Sequence, residues 1–432
     1  MGQAKVVERR YLLPFILITS CFALWGFAND ITNPMVEAFS RIFDMGVGGG
    51  TWVQVVFYGG YGAMAFPAAL FIRKFTYKAG VLMGLGLYAT GALLFIPASS
   101  IGLYYPFLIA YFVMTCGLSF LETSANPFVL FMGSEETGTR RLNLAQAFNP
   151  MGSLTGMLVA KNLIQARLDP RDAAVRATLS TEEFETVKAH DLEVLSAPYI
   201  FIGGVILAVF VLIALVKMPA NSEETHSLNL WNALKRIFSK KRYREGVVTQ
   251  LFYVGAQIMC WTFIVQYGQR IFMEQFGMSA GAAAQEAQFY NIIAMGGFVV
   301  FRFIFTFVLK YIDPGRLLMS LALTAIGFTV ATIFLQNIAG LYMLIGISAC
   351  MSLMFPTIYG ISLRGMGEDA KFGSAGLIMS IVGGSFLPKL QAWIIDTAPG
   401  EWLPAVNISF VVPMISFIVI SVFGYRTYKL HV

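Results

Sequence analysis

Twelve apolar runs, each about 20 residues or longer, take up most of this 432-residue sequence, and a run of that length crosses the hydrocarbon of a bilayer as a helix. Nothing else restricts the fold so strongly. Backbone polar groups inside a bilayer must pair within their own segment, so each run has to be helical. The runs fall at 12–42, 51–73, 79–98, 102–131, 141–166, 197–217, 246–273, 284–309, 315–335, 339–363, 372–395 and 403–424. Composition agrees: 57% of residues are hydrophobic and 12% charged, too few polar groups to cover a water-soluble fold of this size. The first run is too long for a signal peptide and carries polar residues, so it reads as a retained span. The expected class is an all-α, multi-pass membrane protein.

Basic residues cluster in alternate connections. Lys5, Arg9 and Arg10 precede span one; Arg73, Lys74 and Lys78 join spans two and three; Arg140 and Arg141 join four and five. Lys310 and Arg316, then Arg364 and Lys371, do the same in the second half, and Arg426 and Lys429 follow span twelve. The positive-inside rule therefore places both termini in the cytoplasm, which requires an even number of spans. The connection at 167–197 is mixed and acid-rich. The one long break is 218–245, where Pro219 precedes Lys235-Arg236, Lys240-Lys241-Arg242 and Arg244. Its NLWNALKRIF stretch reads as an amphipathic interfacial helix at the cytoplasmic surface. The expected organisation is a bundle at 1–217, a linker at 218–245 and a second bundle at 246–432. The net charge of +6 reflects these membrane-flanking residues and gives no reason to expect a nucleic-acid partner.

The halves resemble each other. FIRKFTYKAGVLMG at 71–84 aligns with FVLKYIDPGRLLMS at 307–320, and CGLSFLETSANPFVLFMGSEE at 116–136 with CMSLMFPTIYGISLRGMGEDA at 350–370. Both offsets are about 235 residues, the mark of an internal duplication. The repeat is asymmetric at one point of chemical weight, since Glu122 falls opposite Pro356.

That glutamate lies inside an apolar run, where a charge facing lipid costs about 3 kcal/mol or more. It must therefore face a cavity, a partner or a proton. Span one carries Asn29, Asp30, Asn33 and Glu37 at helical spacing, with Pro34 removing one backbone hydrogen bond. Span four places Asn126 on the face of Glu122. Span five carries Gln146 and Asn149 beside Pro150, and Gly152 and Gly156 suit close helix packing rather than chemistry. In the second half Gln257 lies one turn before Trp261, an indole that could stack on the C–H face of a sugar ring. Tyr253, Gln266, Asn291, Lys389 and Gln391 are further polar positions in these spans, and Arg302 is a buried cation expected to pair with a carboxylate or with backbone carbonyls.

His190, His226 and His431 lie outside the spans, so a proton carrier within the membrane has to be a carboxylate, and Asp30 and Glu122 are the candidates. The four cysteines fall in apolar runs without metal or disulfide spacing and read as packing residues. No phosphate-binding GxxxxGK[ST] and no hydrolase or metalloprotease motif occurs. Neither a cofactor nor a metal nor an enzymatic activity is expected.

LETSANPF, RLNLAQAFN, FYVGAQIMCW, MFPTIYGISL and KFTYKAG together resemble the fucose:proton symporter family of the major facilitator superfamily, a likeness running from span one to span twelve. The resemblance implies the major facilitator fold, twelve helices in two pseudo-symmetric six-helix bundles, and sugar–cation symport by alternating access in the inner membrane. It implies that Glu122 senses sugar and proton together, and that Gln146 and Asn149 contact sugar. Span one departs from the family pattern, with Asp30 at the family's asparagine position and Asn33 at its aspartate position. In span ten the family's tyrosine before Pro-Thr is Phe355 here.

The expected function is therefore import of a monosaccharide, fucose-like or another hexose, with a proton. The alternatives are a sodium-coupled or an uncoupled facilitator for glucose, galactose or N-acetylglucosamine. Glu122 and Asp30 are the expected proton-coupling residues. Asn29, Asp30, Asn33, Glu122, Asn126, Gln146, Asn149, Gln257 and Trp261 are the expected sugar ligands. The expected partners are a small sugar, a proton or sodium and the lipid bilayer, with the chain as a monomer.

Overall fold

A computed structural model of the chain describes residues 6–32, 35–45, 52–169, 171, 173–176, 178–219, 230–398 and 402–429. Every regular element among them is helical. Eleven helices are long and apolar enough to cross a membrane: Arg9–Thr32, Val55–Lys74, Tyr77–Ile101, Tyr104–Phe131, Thr181–Leu215, Lys241–Phe276, Gln285–Val308, Pro314–Phe334, Ile338–Leu363, Ala370–Thr397 and Ala405–Tyr428. The remaining expected span, 141–166, is built from consecutive pieces, Gly138–Gln146, Phe148–Val159 and a π-helical Ala160–Gln165. Pro150 accounts for the first break. It has no N–H to give the carbonyl of Gln146, and the helix stops at that residue.

The helix that carries span six starts sixteen residues before the apolar run, at Thr181 rather than at 197. A capping box explains the early start: the Ser180 side chain accepts from the Glu183 amide while the Glu183 carboxylate accepts from the Ser180 amide. The charged segment before it is folded onto this helix. Arg176 donates to Asp191 at 2.6 Å, both side chains being almost fully buried, and Asp191 also accepts from the Asp169 amide. The Arg171 fork on Asp169 holds that carboxyl down to about 2.

The chain divides into two compact units. One holds Val7–Met132 and Phe148–Leu228; the other holds Met1–Val6, Gly133–Ala147 and Asn229–Val432. Span five is thus shared, its Gly138–Gln146 piece belonging with the second half of the sequence.

In the first unit, close backbone approach is the dominant packing device. A methyl carbon added at Gly152 would sit 1.9 Å from the Ala23 carbonyl oxygen, and one at Gly26 would sit 2.0 Å from that of Asn149. Span one and the Phe148–Val159 helix therefore touch along their backbones, as small residues allow in lipid. Tyr88 of span three ties the same region together by donating to the Leu24 carbonyl at 2.9 Å.

In the second unit, span seven is the central helix and packs against spans eight, eleven and twelve. Tyr253, Phe263, Tyr267, Leu344, Met351 and Phe417 form part of one continuous apolar core. Span ten is interrupted between Ile338–Met351 and Met354–Leu363, four residues before Pro356 at its start, by the same loss of an N–H that breaks span five. A helix is present in the expected linker, at Leu230–Ser239. Its Ile237 is buried, Lys235 and Phe238 face outward, and Arg236 makes two hydrogen bonds to Asp369, at 2.9 and 2.7 Å.

Candidate functional site

Glu122 sits past the middle of an unbroken span four, Tyr104–Phe131, and only 5% of its surface is exposed. Protein, rather than acyl chains, surrounds it. Its partner comes from span two, whose Tyr61 hydroxyl donates to Glu122 Oε1 at 3.1 Å. The two helices grip each other reciprocally. One turn before Glu122, Ser119 donates to the Tyr61 backbone carbonyl at 3.1 Å. The phenol is thereby aimed at the carboxyl by a bond that does not involve the carboxyl.

Tyr61 also lies within reach of span one, with Asn29 Oδ1 3.4 Å from the same hydroxyl. A phenol has one proton to donate. It can serve the carboxylate or the Asn29 amide oxygen, and the shorter distance favours Glu122. Tyr58, one turn earlier on span two, faces Asp30 electrostatically. Spans one, two and four thus bring Asn29, Asp30, Tyr58, Tyr61 and Glu122 into one polar zone of the first unit. Among the described residues no ion pair reaches Glu122. A carboxyl in such a place can meet its surroundings by taking up a proton or by accepting hydrogen bonds from a polar guest.

The other expected positions divide. Asn126 is fully buried, and its amide donates back to the Glu122 carbonyl at 2.8 Å. Asn149 donates to the Phe22 carbonyl of span one at 3.1 Å and stays partly exposed. Gln146 and Asn149, expected one turn apart on one helix, are separated by the break at Ala147 and belong to different units. Asn33 and Pro34 lie outside the described residues, as does the side chain of Glu37.

In the second unit Gln257 is partly exposed on span seven. The indole N–H of Trp261 donates to Ser348 Oγ at 2.9 Å, and the ring meets Phe298 edge-on at 5.1 Å. Its polar edge is therefore committed to the protein, which leaves only ring surface for a guest. Phe355 stacks near Tyr359, with centroids 6.3 Å apart.

Sequence reasoning overlooked Tyr61, Tyr58 and Ser119. A signal existed in the pair Tyr58 and Tyr61, three apart on an otherwise apolar helix. A phenol buried there, as Tyr61 is, needs a hydrogen-bond partner.

Residues 18–388 match the sequence model of the Major Facilitator Superfamily. The L-fucose-proton symporter of Haemophilus influenzae is 49% identical to this chain, covering 99% of both sequences. The L-fucose-proton symporter of Escherichia coli is 34% identical, over 96% of this chain and 93% of its own. A crystal structure of the E. coli fucose:proton symporter has a TM-score of 0.87 to this chain at 33% identity, covering 97% of this chain and 99% of that one.

Proposed function

Because the chain belongs to the Major Facilitator Superfamily, we propose that it is an L-fucose:proton symporter working by alternating access. The observation that carries this reading is Glu122, a carboxyl buried among helices with a phenol as its side-chain partner. Near-complete, 49% identity to a protein named as an L-fucose-proton symporter supports the choice of sugar and ion. In this reading the carboxyl loads a proton from one side of the membrane, accepts sugar hydroxyls, and releases both on the other. Asp30 shares the proton-coupling role. Asn29, Asn33, Asn126, Gln146, Asn149 and Gln257 supply donors and acceptors to the sugar, and Trp261 offers a stacking face.

The transporter resides in the cytoplasmic membrane with both termini inside, as the placement of its basic residues argues. It acts as a monomer, with 1–217 and 246–432 as its moving bundles and 218–245 as the linker.

Purified protein in proteoliposomes tests the reading. Counterflow across a panel of L-fucose, galactose, glucose and N-acetylglucosamine is expected to favour L-fucose, unaffected by sodium, and L-fucose addition is expected to move protons with it. Sodium dependence, or sugar flux without proton movement, would replace the proposal with a sodium-coupled or an uncoupled facilitator.

Tyr61→Phe tests the carboxyl's partner. The change removes one hydroxyl and keeps the ring. A hydrogen bond to a charged group is worth about 1.5–3 kcal/mol, so the step that needs ionised Glu122 should slow by roughly tenfold or more. The expected result is a displaced pH profile of L-fucose exchange with the protein still folded. An unchanged profile would remove Tyr61 from the coupling path.

A further inference from the structure

Arg302 lies inside span eight, 3% exposed, yet its recorded hydrogen bonds go to two backbone carbonyls rather than to a carboxylate. Nε donates to the carbonyl of Ser352, and Nη1 donates to that of Gln146 at 2.9 Å. The guanidinium also rests over the Phe298 ring, 4.7 Å from its centroid.

These two carbonyls are not arbitrary. In an α-helix the N–H of residue i closes on the carbonyl of residue i−4. Gln146 stands four before Pro150, and Ser352 stands four before Pro356. Proline has no N–H, so each of these oxygens has lost its own helical donor. The helices break there, after Gln146 in span five and after Met351 in span ten. An open carbonyl deep in a membrane protein must find another donor. Arginine presents several N–H groups in a rigid planar fork and can serve two acceptors at once, which a lysine ammonium cannot do in the same geometry.

We propose that Arg302 is a positioning residue that replaces the two backbone hydrogen bonds removed by Pro150 and Pro356, and so fixes the end of the Gly138–Gln146 helix against the break of span ten. The consequence is local and chemical. Gln146, an expected sugar ligand, carries one of the held carbonyls on its own backbone. Phe355, the position where the family resemblance places a tyrosine, lies three residues past the other. The neighbouring contacts fasten the same two segments: Asn143 Nδ2 donates to Thr357 Oγ1 at 3.1 Å, and Gly360 abuts Thr139. One side chain thereby holds the segment that carries Gln146 against the segment that leads into Phe355.

The test has two arms, and only the second rests on the L-fucose reading. In the first, thermal unfolding midpoints of purified protein are measured for Arg302→Met, for the pair Pro150→Ala with Pro356→Ala, and for all three changes together. The new alanine amides can close on Gln146 and Ser352, so the triple variant is expected to recover at least half of the midpoint lost in Arg302→Met. Losses that simply add would overturn the proposal. Should Arg302→Met yield no folded protein, recovery of folded triple variant supports the proposal and no recovery overturns it.

In the second arm Arg302→Lys is assayed for L-fucose counterflow. The expected result is a KM raised at least about fivefold with the maximal rate within about threefold of the parent, the pattern of displaced binding groups. A KM equal to the parent's would overturn the positioning role. If the parent itself carries no L-fucose, the assignment of sugar fails while the first arm still decides the role of Arg302.

Discussion

Glu122→Gln is expected to abolish uphill accumulation of L-fucose while leaving exchange of sugar across the membrane measurable. The amide has almost the shape of the carboxyl and can still accept from the Tyr61 hydroxyl, which now lies 3.1 Å from Oε1. It cannot bind and release a proton. Exchange needs only that the loaded carrier reorients, and the neutral amide mimics the protonated carboxyl. Accumulation needs the proton to pay for each turn. A gradient of two pH units coupled one to one supports about a hundredfold accumulation, roughly 2.7 kcal/mol. The variant should bring that ratio to about 1, read as steady-state internal sugar under an imposed pH gradient. Accumulation at the parent level would take Glu122 out of the coupling step and leave Asp30 as the carrier. Asp30→Asn, assayed in parallel, shows which of the two carboxyls is required.

Gly152→Leu is expected to have the largest effect on stability. Even a single added carbon at this position would sit 1.9 Å from the Ala23 oxygen, and the obstacle is backbone rather than a side chain that could swing aside. Span one cannot back away without opening the neighbouring contacts, because Gly26 meets Asn149 and Gly156 meets the Phe27 carbonyl along the same seam. Overpacking of this kind costs about 1–3 kcal/mol even for small additions, and a leucine adds three further carbons. Folded protein in the membrane should fall severely, measured as the monodisperse fraction after detergent extraction. Gly204→Ala is the control. Nothing lies within 4 Å of a carbon added there, and alanine is the better helix former by up to about 1 kcal/mol. A Gly152→Leu protein as abundant and as monodisperse as the parent would mean that the two helices are not held in backbone contact.

Several features of the chain were legible before any coordinates. The spans were readable because crossing a bilayer takes a run of fixed length, a property of consecutive residues. The Leu230–Ser239 helix and the isolated acid at 122 were visible for the same local reason. The prolines at 150 and 356 could be read as places where a helix loses a bond. The early start of the span-six helix was not legible in hydropathy, because the capping box at Ser180 and Glu183 extends the helix into a charged segment ahead of the apolar run.

What the polar groups do with their hydrogen bonds was decided only by tertiary structure. Glu122 meets Tyr61, a residue 61 positions away. Asn126 turns its amide back onto its own helix. The indole of Trp261 commits its N–H to Ser348, and Arg302 reaches carbonyls on two other spans. Sequence alone determined which segments enter the membrane and where charge and broken backbone must be relieved, since apolar length and missing amides are written along the chain. Which partner supplies the relief depends on which helices come within about 3 Å of one another, and that distance exists only once the helices have packed.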